Sequence, residues 1–270
     1  VIEETIRHGD ISLFLSLHSR LVGPYIGHLG SESLKERLLP KCISGETILG
    51  VAMTEPNAGS DLAGIKSKAT RDGDDWILNG SKTYISNGIN GGAFVVAART
   101  VPDKAHGIGL FIVESDMEGF SRGRNLKKMG LKAQDTAELF FENVRVPAEN
   151  VLGDPEKGFY SLMHFLAEER LISACQEVAH AQVAFDLTMD YILERKAFGK
   201  PIGAFQNSRF KMAEMRTSLD ILQTFIDQCV LLHNEGELTA ELAAEAKLYA
   251  SELESTVMDN CVQLHGGSGY

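Results

Sequence analysis

Residues 48–61 read Ile48-Leu49-Gly50-Val51-Ala52-Met53-Thr54-Glu55-Pro56-Asn57-Ala58-Gly59-Ser60-Asp61. An apolar run stops abruptly in a turn of Pro, Asn, Gly, Ser and Asp. Such a junction exposes backbone N–H groups and hydroxyls at a strand end, with no bulky side chain in the way. A flat heterocycle with carbonyl edges finds donors there in the main chain, Thr54 and Ser60. The same pattern also reads as an ordinary strand and turn, so the surrounding chain has to decide.

On the N-terminal side, residues 1–47 read as helical. Ile11 to Tyr25 places Leu, Phe, Ile and Val at helical spacing, with Pro24 and Gly27 as the expected exit. Ser31 is an N-cap candidate with Glu32 in the first turn, and Pro40 and Gly45 are expected to end that helix. On the C-terminal side the texture changes. Asp72-Gly73 and Asn79-Gly80 flank Trp76-Ile77-Leu78, and Asn87-Gly88 and Gly91-Gly92 follow Thr83-Tyr84-Ile85. Asn-Gly and Asp-Gly between short β-prone runs signal hairpins because those residues tolerate positive φ. Further strands are expected at Ala93–Ala98, Gly109–Val113 and Leu139–Val146, which suggests an antiparallel barrel or sandwich. Three long helical patterns follow: Phe159 to about Lys196, Gln206 to about Asn234, and one capped by Thr239 and running to about Leu264. Gly199, Pro201 and Gly236 punctuate them. The predicted fold is therefore multidomain α+β. It has N-terminal helices (1–47), a middle β domain (48–155) and an incomplete up-down helical bundle (156–270).

Composition narrows the function. The chain has 270 residues, 44% hydrophobic and 23% charged, and a net charge of −11. That balance suits a soluble globular protein and argues against a general nucleic-acid surface. No run is apolar enough for a membrane helix. Cys42, Cys175, Cys229 and Cys261 are far apart with no CxxC pair, so free buried thiols are expected rather than disulfides. The histidines show no metal-ligand spacing, and no metal is assigned. No GxGxxG opens a βαβ unit, so a Rossmann site is not expected. The chain starts inside a helical pattern and stops at a Gly-rich turn, which reads as truncation at both ends.

Several segments, in order, resemble the acyl-CoA dehydrogenase flavoenzymes. They are Met53-Thr54-Glu55-Pro56-Asn57-Ala58-Gly59-Ser60-Asp61, Asn79-Gly80-Ser81-Lys82-Thr83-Tyr84-Ile85-Ser86-Asn87-Gly88, Met129-Gly130-Leu131-Lys132-Ala133-Gln134-Asp135-Thr136, Arg195-Lys196-Ala197-Phe198-Gly199-Lys200, Phe205-Gln206 and Gln263-Leu264-His265-Gly266-Gly267-Ser268-Gly269-Tyr270. The resemblance spans the chain, and the segment 130–141 is similar to the long-chain branch. It implies FAD, with Val51, Ala52, Met53, Thr54, Gly59 and Ser60 lining it and Tyr84, Ile85 and Ser86 against its ring. Arg195, Phe198, Gln206, Gln263, Gly266 and Gly267 would hold the pyrophosphate and adenosine ends, largely across a subunit boundary. Arg195 also reads as a helix-end cation, and Gly266-Gly267 as a helix stop. The resemblance further implies an acyl-CoA substrate, electron-transfer flavoprotein as acceptor, a homodimer or homotetramer, and the bacterial cytoplasm or mitochondrial matrix.

The chemistry of that family needs a carboxylate base, a hydride acceptor and donors on the thioester carbonyl. A minority of members, of the long-chain and isovaleryl types, carry the base directly before an Arg-Leu in the first bundle helix. Here that segment is Phe165-Leu166-Ala167-Glu168-Glu169-Arg170-Leu171. At about 100° per residue, Phe159, Leu162, Met163 and Leu166 form an apolar arc. Glu169 falls inside it, and Glu168 points nearly opposite Phe159. A carboxylate on an apolar face loses hydration and becomes a better base, although an ion pair with Arg170 accounts for Glu169 as well. By resemblance, Ser60, Tyr160, Ala167, Glu168, Glu169 and Arg170 touch substrate. Tyr160 reads equally as a core aromatic. A flavin monooxygenase or oxidase on the same scaffold, and an inactive fragment that binds no flavin, stay open.

Overall fold

A computed structural model describes residues 1–8 and 15–270. The chain divides into two compact units, one holding Ser12–Phe165 and the other Val1–Ile11 with Leu166–Tyr270.

In the first unit a π-helical turn (Leu17–Val22) leads into α2 (Gly23–Leu29) and α3 (Glu32–Ser44); α1 (Ile2–His8) belongs to the other unit. Residues 11–14 of the expected first helix lie outside the described residues. Pro24 and Gly27 sit inside α2 rather than at its exit. Pro24 occupies the first turn, where its missing N–H costs nothing. Pro40 likewise lies within α3, which runs on to Ser44 and ends on left-handed Gly45 (φ 78°). Ser31 caps α3 as expected, accepting from Leu34 N at 3.2 Å.

The β strands are β1 (Leu49–Ala52), β2 (Lys68–Asp72), β3 (Asp75–Ser86), β4 (Ala93–Arg99), β5 (Ile108–Glu114), β6 (Phe120–Arg122), β7 (Thr136–Val146) and β8 (Val151–Leu152). They form one sheet in the order β6-β7-β3-β2-β4-β5-β8, with β1 beside β4. Pairing is mostly antiparallel, but β1 and β2 each run parallel to β4. Central β4 is buried on both faces. Val95 and Ala97 join a core with Tyr25, Ile26, Leu34 and Leu38 of the helices, while Phe94 and Val96 join Leu78, Phe111, Leu139 and Phe141 in a second core.

Of the expected hairpins, Asp72-Gly73 is one: Asp72 pairs with Asp75 across a tight turn. Asn79-Gly80 is not. It lies within β3 at a register shift against β7, and Asn79 instead exchanges hydrogen bonds with Asn143 across the strands. Asn87-Gly88 connects β3 to β4, which are not neighbours. Gly80 has φ 147°, and a Cβ there would sit 2.2 Å from Ser67 Oγ. Gly80→Ala is therefore expected to lower stability by about 1–3 kcal/mol, read as a lower urea midpoint with an unchanged slope.

In the second unit, α4 (Gly158–Glu194, its first turns in the other unit), α5 (Gln206–Glu235) and α6 (Ala240–His265) match the expected three helices. Thr239 caps α6, accepting from Leu242 N at 3.2 Å, and left-handed Gly236 ends α5. Leu171, Ala174, Val178, Ala181 and Phe185 of α4 pack with Met212, Leu219, Leu222 and Ile226 of α5 and Ala246, Ala250 and Val257 of α6. All four cysteines are free, and burial pushes the Cys42 and Cys175 thiols up to about 11. None of the described helices is long and apolar enough to cross a membrane.

Candidate active site

The first cluster belongs to the Ser12–Phe165 unit and joins two stretches distant in sequence. Thr83 N donates to the Thr54 carbonyl at 2.9 Å, and a Cβ on Gly50 would meet Ser86 O at 3.0 Å. Val51–Ser60 and Tyr84–Ser86 thus form one edge. Val51, Met53, Thr54 and Ser86 are half-buried, Gly59 and Ser60 exposed, and Ala52 and Ile85 buried. Tyr84 is 70% exposed in the left-handed region (φ 58°), at a second register shift between Lys82 and Ile85. A fixed, sparsely populated backbone conformation under an exposed aromatic ring is the kind of strain that accompanies binding surfaces.

What fixes this edge is a buried ion pair. Lys82, with no exposed side-chain surface, donates to Glu55 Oε1 at 2.8 Å and to Met53 O at 2.9 Å. Glu55 also accepts from Lys66 N at 2.6 Å and Ser67 N at 3.0 Å. Burial pushes the Lys82 ammonium down to about 8, with Glu55 drawing it back up. Burial alone would raise Glu55, but the Lys82 charge and these hydrogen bonds hold it below the usual carboxylate range. A depressed carboxylate contributes stability that is present above its unfolded value and lost as pH falls through its folded value. Stability should therefore fall below about pH 4.5, and Glu55→Gln should flatten that slope in urea titrations run from pH 3 to 6.

A second polar group holds the other end. Asn87 Nδ2 donates to Leu49 O at 2.8 Å, and Gln134 Nε2 donates to Asn87 Oδ1 at 3.0 Å. Asp135 accepts from Ile89 N at 2.6 Å and from Asn90 Nδ2 at 3.0 Å. The cationic run of Arg122, Arg124, Lys127, Lys128 and Lys132 is partly structural. Arg122 donates to Gly91 O, and Lys128 donates to Gln134 O and to Thr136 Oγ1. Tyr160, 57% exposed rather than in the core, lies 3.4 Å through its hydroxyl from His106 Nδ1.

The remaining residues lie on the bundle unit. Arg195, Phe198 and Gln206 are exposed at the α4–α5 connection, where Lys196-Ala197 (β9) pairs with Lys200-Pro201 (β10). Phe198 is 95% exposed with φ 51°. Gln263, Gly266 and Gly267 are exposed at the α6 terminus, which is tied to α4 by Tyr191 Oη donating to His265 O at 3.3 Å. These six residues therefore gather at one end of the bundle. Ala167, Glu168, Glu169 and Arg170 lie near the other end and are all half-buried. From Glu169 to Arg195 is about 39 Å along the helix axis.

Glu168 differs from its sequence reading. Its side chain is only 17% exposed and lies 3.9 Å from His233 on α5, so burial does not separate the two acids. Direction does. At 100° per residue, Glu169 points about 160° away from the mean direction of the five α4 core residues, while Glu168 flanks them at about 100°. The first turns of α4 carry a separate apolar side because Leu162 and Phe165, which belong to the Ser12–Phe165 unit, join that unit's own core. Among the described residues, no group of three His, Cys, Asp or Glu is placed to hold a metal.

Comparison with known proteins places the chain in a family. The acyl-CoA dehydrogenase N-terminal, middle and C-terminal domain models match residues 1–46, 50–144 and 156–270. The crystal structure of an acyl-CoA dehydrogenase from Geobacillus kaustophilus superposes with a TM-score of 0.96 at 46% identity, covering 100% of this chain and 72% of that one. The chain belongs to the acyl-CoA dehydrogenase family. The mitochondrial long-chain specific acyl-CoA dehydrogenase of Sus scrofa is 48% identical over 258 residues, 94% of this chain and 60% of the relative. A glutaryl-CoA dehydrogenase from Mycobacterium smegmatis, solved in complex with FADH2, is 30% identical with a TM-score of 0.91, covering 99% of this chain and 68% of that one. The chain thus spans about 60% of the length of the long-chain relative.

The sequence reading did not single out Lys82–Glu55 or Asn87–Gln134–Asp135. Their residues lie inside quoted motifs, but nothing local shows that Lys82 is buried or that Glu55 lies 27 residues back as its partner.

Proposed function

We propose that this chain forms the flavin- and substrate-binding core of an FAD-dependent dehydrogenase that converts an acyl-CoA thioester to a trans-2-enoyl-CoA. The observation that carries this is Glu169, a half-buried acid on the side of α4 facing away from its own bundle core. Glu169 removes the α-proton as general base. Arg170 and Tyr160 border the acyl-CoA, with Ala167 and Glu168 beside the base and the Ser60 hydroxyl near the thioester.

The residues present fit FAD. The Val51–Ser60 edge offers hydroxyls and half-buried apolar groups, and Tyr84 stands exposed beside it. Ile85 and Ser86 complete that face. When bound, FAD supplies the acceptor for the β-hydride. Arg195 offers a charged fork to a pyrophosphate, Phe198, Gln206 and Gln263 flank it, and Gly266-Gly267 admits close backbone approach, since nothing lies within 4 Å of a Cβ at either glycine. The 39 Å between Glu169 and Arg195 exceeds the span of one dinucleotide, so the two ends of the site come from two copies, in a homodimer or homotetramer. Electron-transfer flavoprotein is the proposed electron acceptor.

Anaerobic titration of the yellow protein with acyl-CoAs of graded length and branching tests the reading. Bleaching by at least one, with reoxidation faster by electron-transfer flavoprotein than by air, is expected. A colourless protein, or flavin reoxidised preferentially by air, rejects it.

A further inference from the structure

Beyond the base itself, α4 carries a polar file. Glu169, Ser173, Glu177 and His180 follow one another at spacings of four, four and three residues, which stacks them on one face. Their mean direction lies about 125° from that of the bundle-core residues of α4. Ser173 Oγ donates to Glu177 Oε1 at 2.9 Å. His180 Nδ1 lies 2.9 Å from Glu254 Oε1 on α6.

Between these two contacts stand Glu177 Oε2 and His180 Nε2. Both are buried, and neither has a hydrogen-bond partner among the described residues. Buried polar atoms left unpaired are costly, and two of them one turn apart call for an explanation. One bridging water would satisfy both. Burial raises the Glu177 carboxyl, while Ser173, Lys247 of α6 and His180 lower it and Glu254 raises it further.

We propose that Ser173, Glu177, His180 and Glu254 form a relay that carries the substrate-derived proton from Glu169 to solvent. It rests on Glu169 being the base. The transfer moves one proton and no electrons. Protonated Glu169 gives its proton to Ser173 Oγ as Ser173 gives its own to Glu177 Oε1. Neutral Glu177, taking that proton on Oε1, yields the one it already holds on Oε2, through one water, to His180 Nε2, and rotation of the carboxyl restores the starting arrangement. His180 releases the Nδ1 proton to Glu254, whose side chain is 24% exposed and opens to water. Glu169 and Glu177 return to their starting charge. These residues act through Glu169 and touch no reacting atom.

The test separates proton exit from dehydrogenation. The flavin-loaded enzyme is mixed anaerobically with acyl-CoA deuterated at the α-carbon, and flavin bleaching and the label in recovered substrate are followed together. Because the step reverses, a proton trapped on Glu169 returns to the substrate, whereas one that has reached solvent does not. Ser173→Ala and Glu177→Gln should bleach at close to the wild-type rate but lose label roughly tenfold more slowly, and Ser173→Thr, which keeps the hydroxyl, should restore loss. Equal label loss in wild type, Ser173→Ala and Glu177→Gln would overturn the relay alone. Normal bleaching by Glu169→Gln would overturn the base assignment and the relay with it.

Discussion

Glu169→Gln is expected to leave the protein folded and yellow while slowing flavin bleaching by acyl-CoA by a factor of about 100 to 10,000. The exchange keeps side-chain volume and one hydrogen-bonding oxygen, so the half-buried position gains neither a cavity nor a stranded charge. What disappears is the basicity of the carboxylate proposed to take the α-proton, because an amide oxygen is not protonated near neutral pH. Glu168→Gln is the matched control. It removes the carboxylate 3.9 Å from His233, on the flank of the bundle core, and should change the bleaching rate less than tenfold. Stopped-flow absorbance of the two variants reads the difference directly. The reverse pattern, with Glu168→Gln losing bleaching and Glu169→Gln bleaching normally, would move the base one residue back along α4.

The second large effect is on stability. Lys82→Met should cost about 3–5 kcal/mol, because it strands a buried carboxylate. For a unit of this size that corresponds to a Tm lower by roughly 6–20 °C. Glu55 is 7% exposed and retains only the Lys66 and Ser67 N–H groups once Lys82 is gone. The Met53 carbonyl loses its Lys82 contact as well. Lys82→Met combined with Glu55→Gln should be more stable than Lys82→Met alone, because the amide leaves no unpaired charge. Thermal unfolding followed by circular dichroism distinguishes the three proteins. If the double variant is no better than the single, the ion pair is not what holds this edge together.

Helix ends were legible because they are local chemistry. Ser31 and Thr239 cap through their own side chains, and Gly45 and Gly236 close helices in the left-handed conformation. The motif and the wheel together drew attention to the Glu168-Glu169 pair on α4, although the wheel understated how deeply Glu168 is buried. Strand β2 was missed because Lys68-Ala69-Thr70-Arg71-Asp72 buries only Ala69, leaving almost no hydrophobic signal to read. Tyr84 was expected on a plain strand. Its left-handed backbone comes from the register against β7, which depends on residues more than fifty positions away. The parallel placement of β1 on β4 likewise has no local signature. Asn79-Gly80 carried a genuine preference for positive φ, and the fold uses it for a bulge instead of a hairpin.

The seclusion of Lys82 has one more outcome. Thioesters acylate free amines, and burial pulls the Lys82 ammonium below the ordinary lysine value. A side chain with no exposed surface, tied to Glu55 and Met53, gives such an electrophile no line of approach. Accidental adducts with thioesters should therefore collect on exposed lysines such as Lys104 and Lys157 rather than on Lys82.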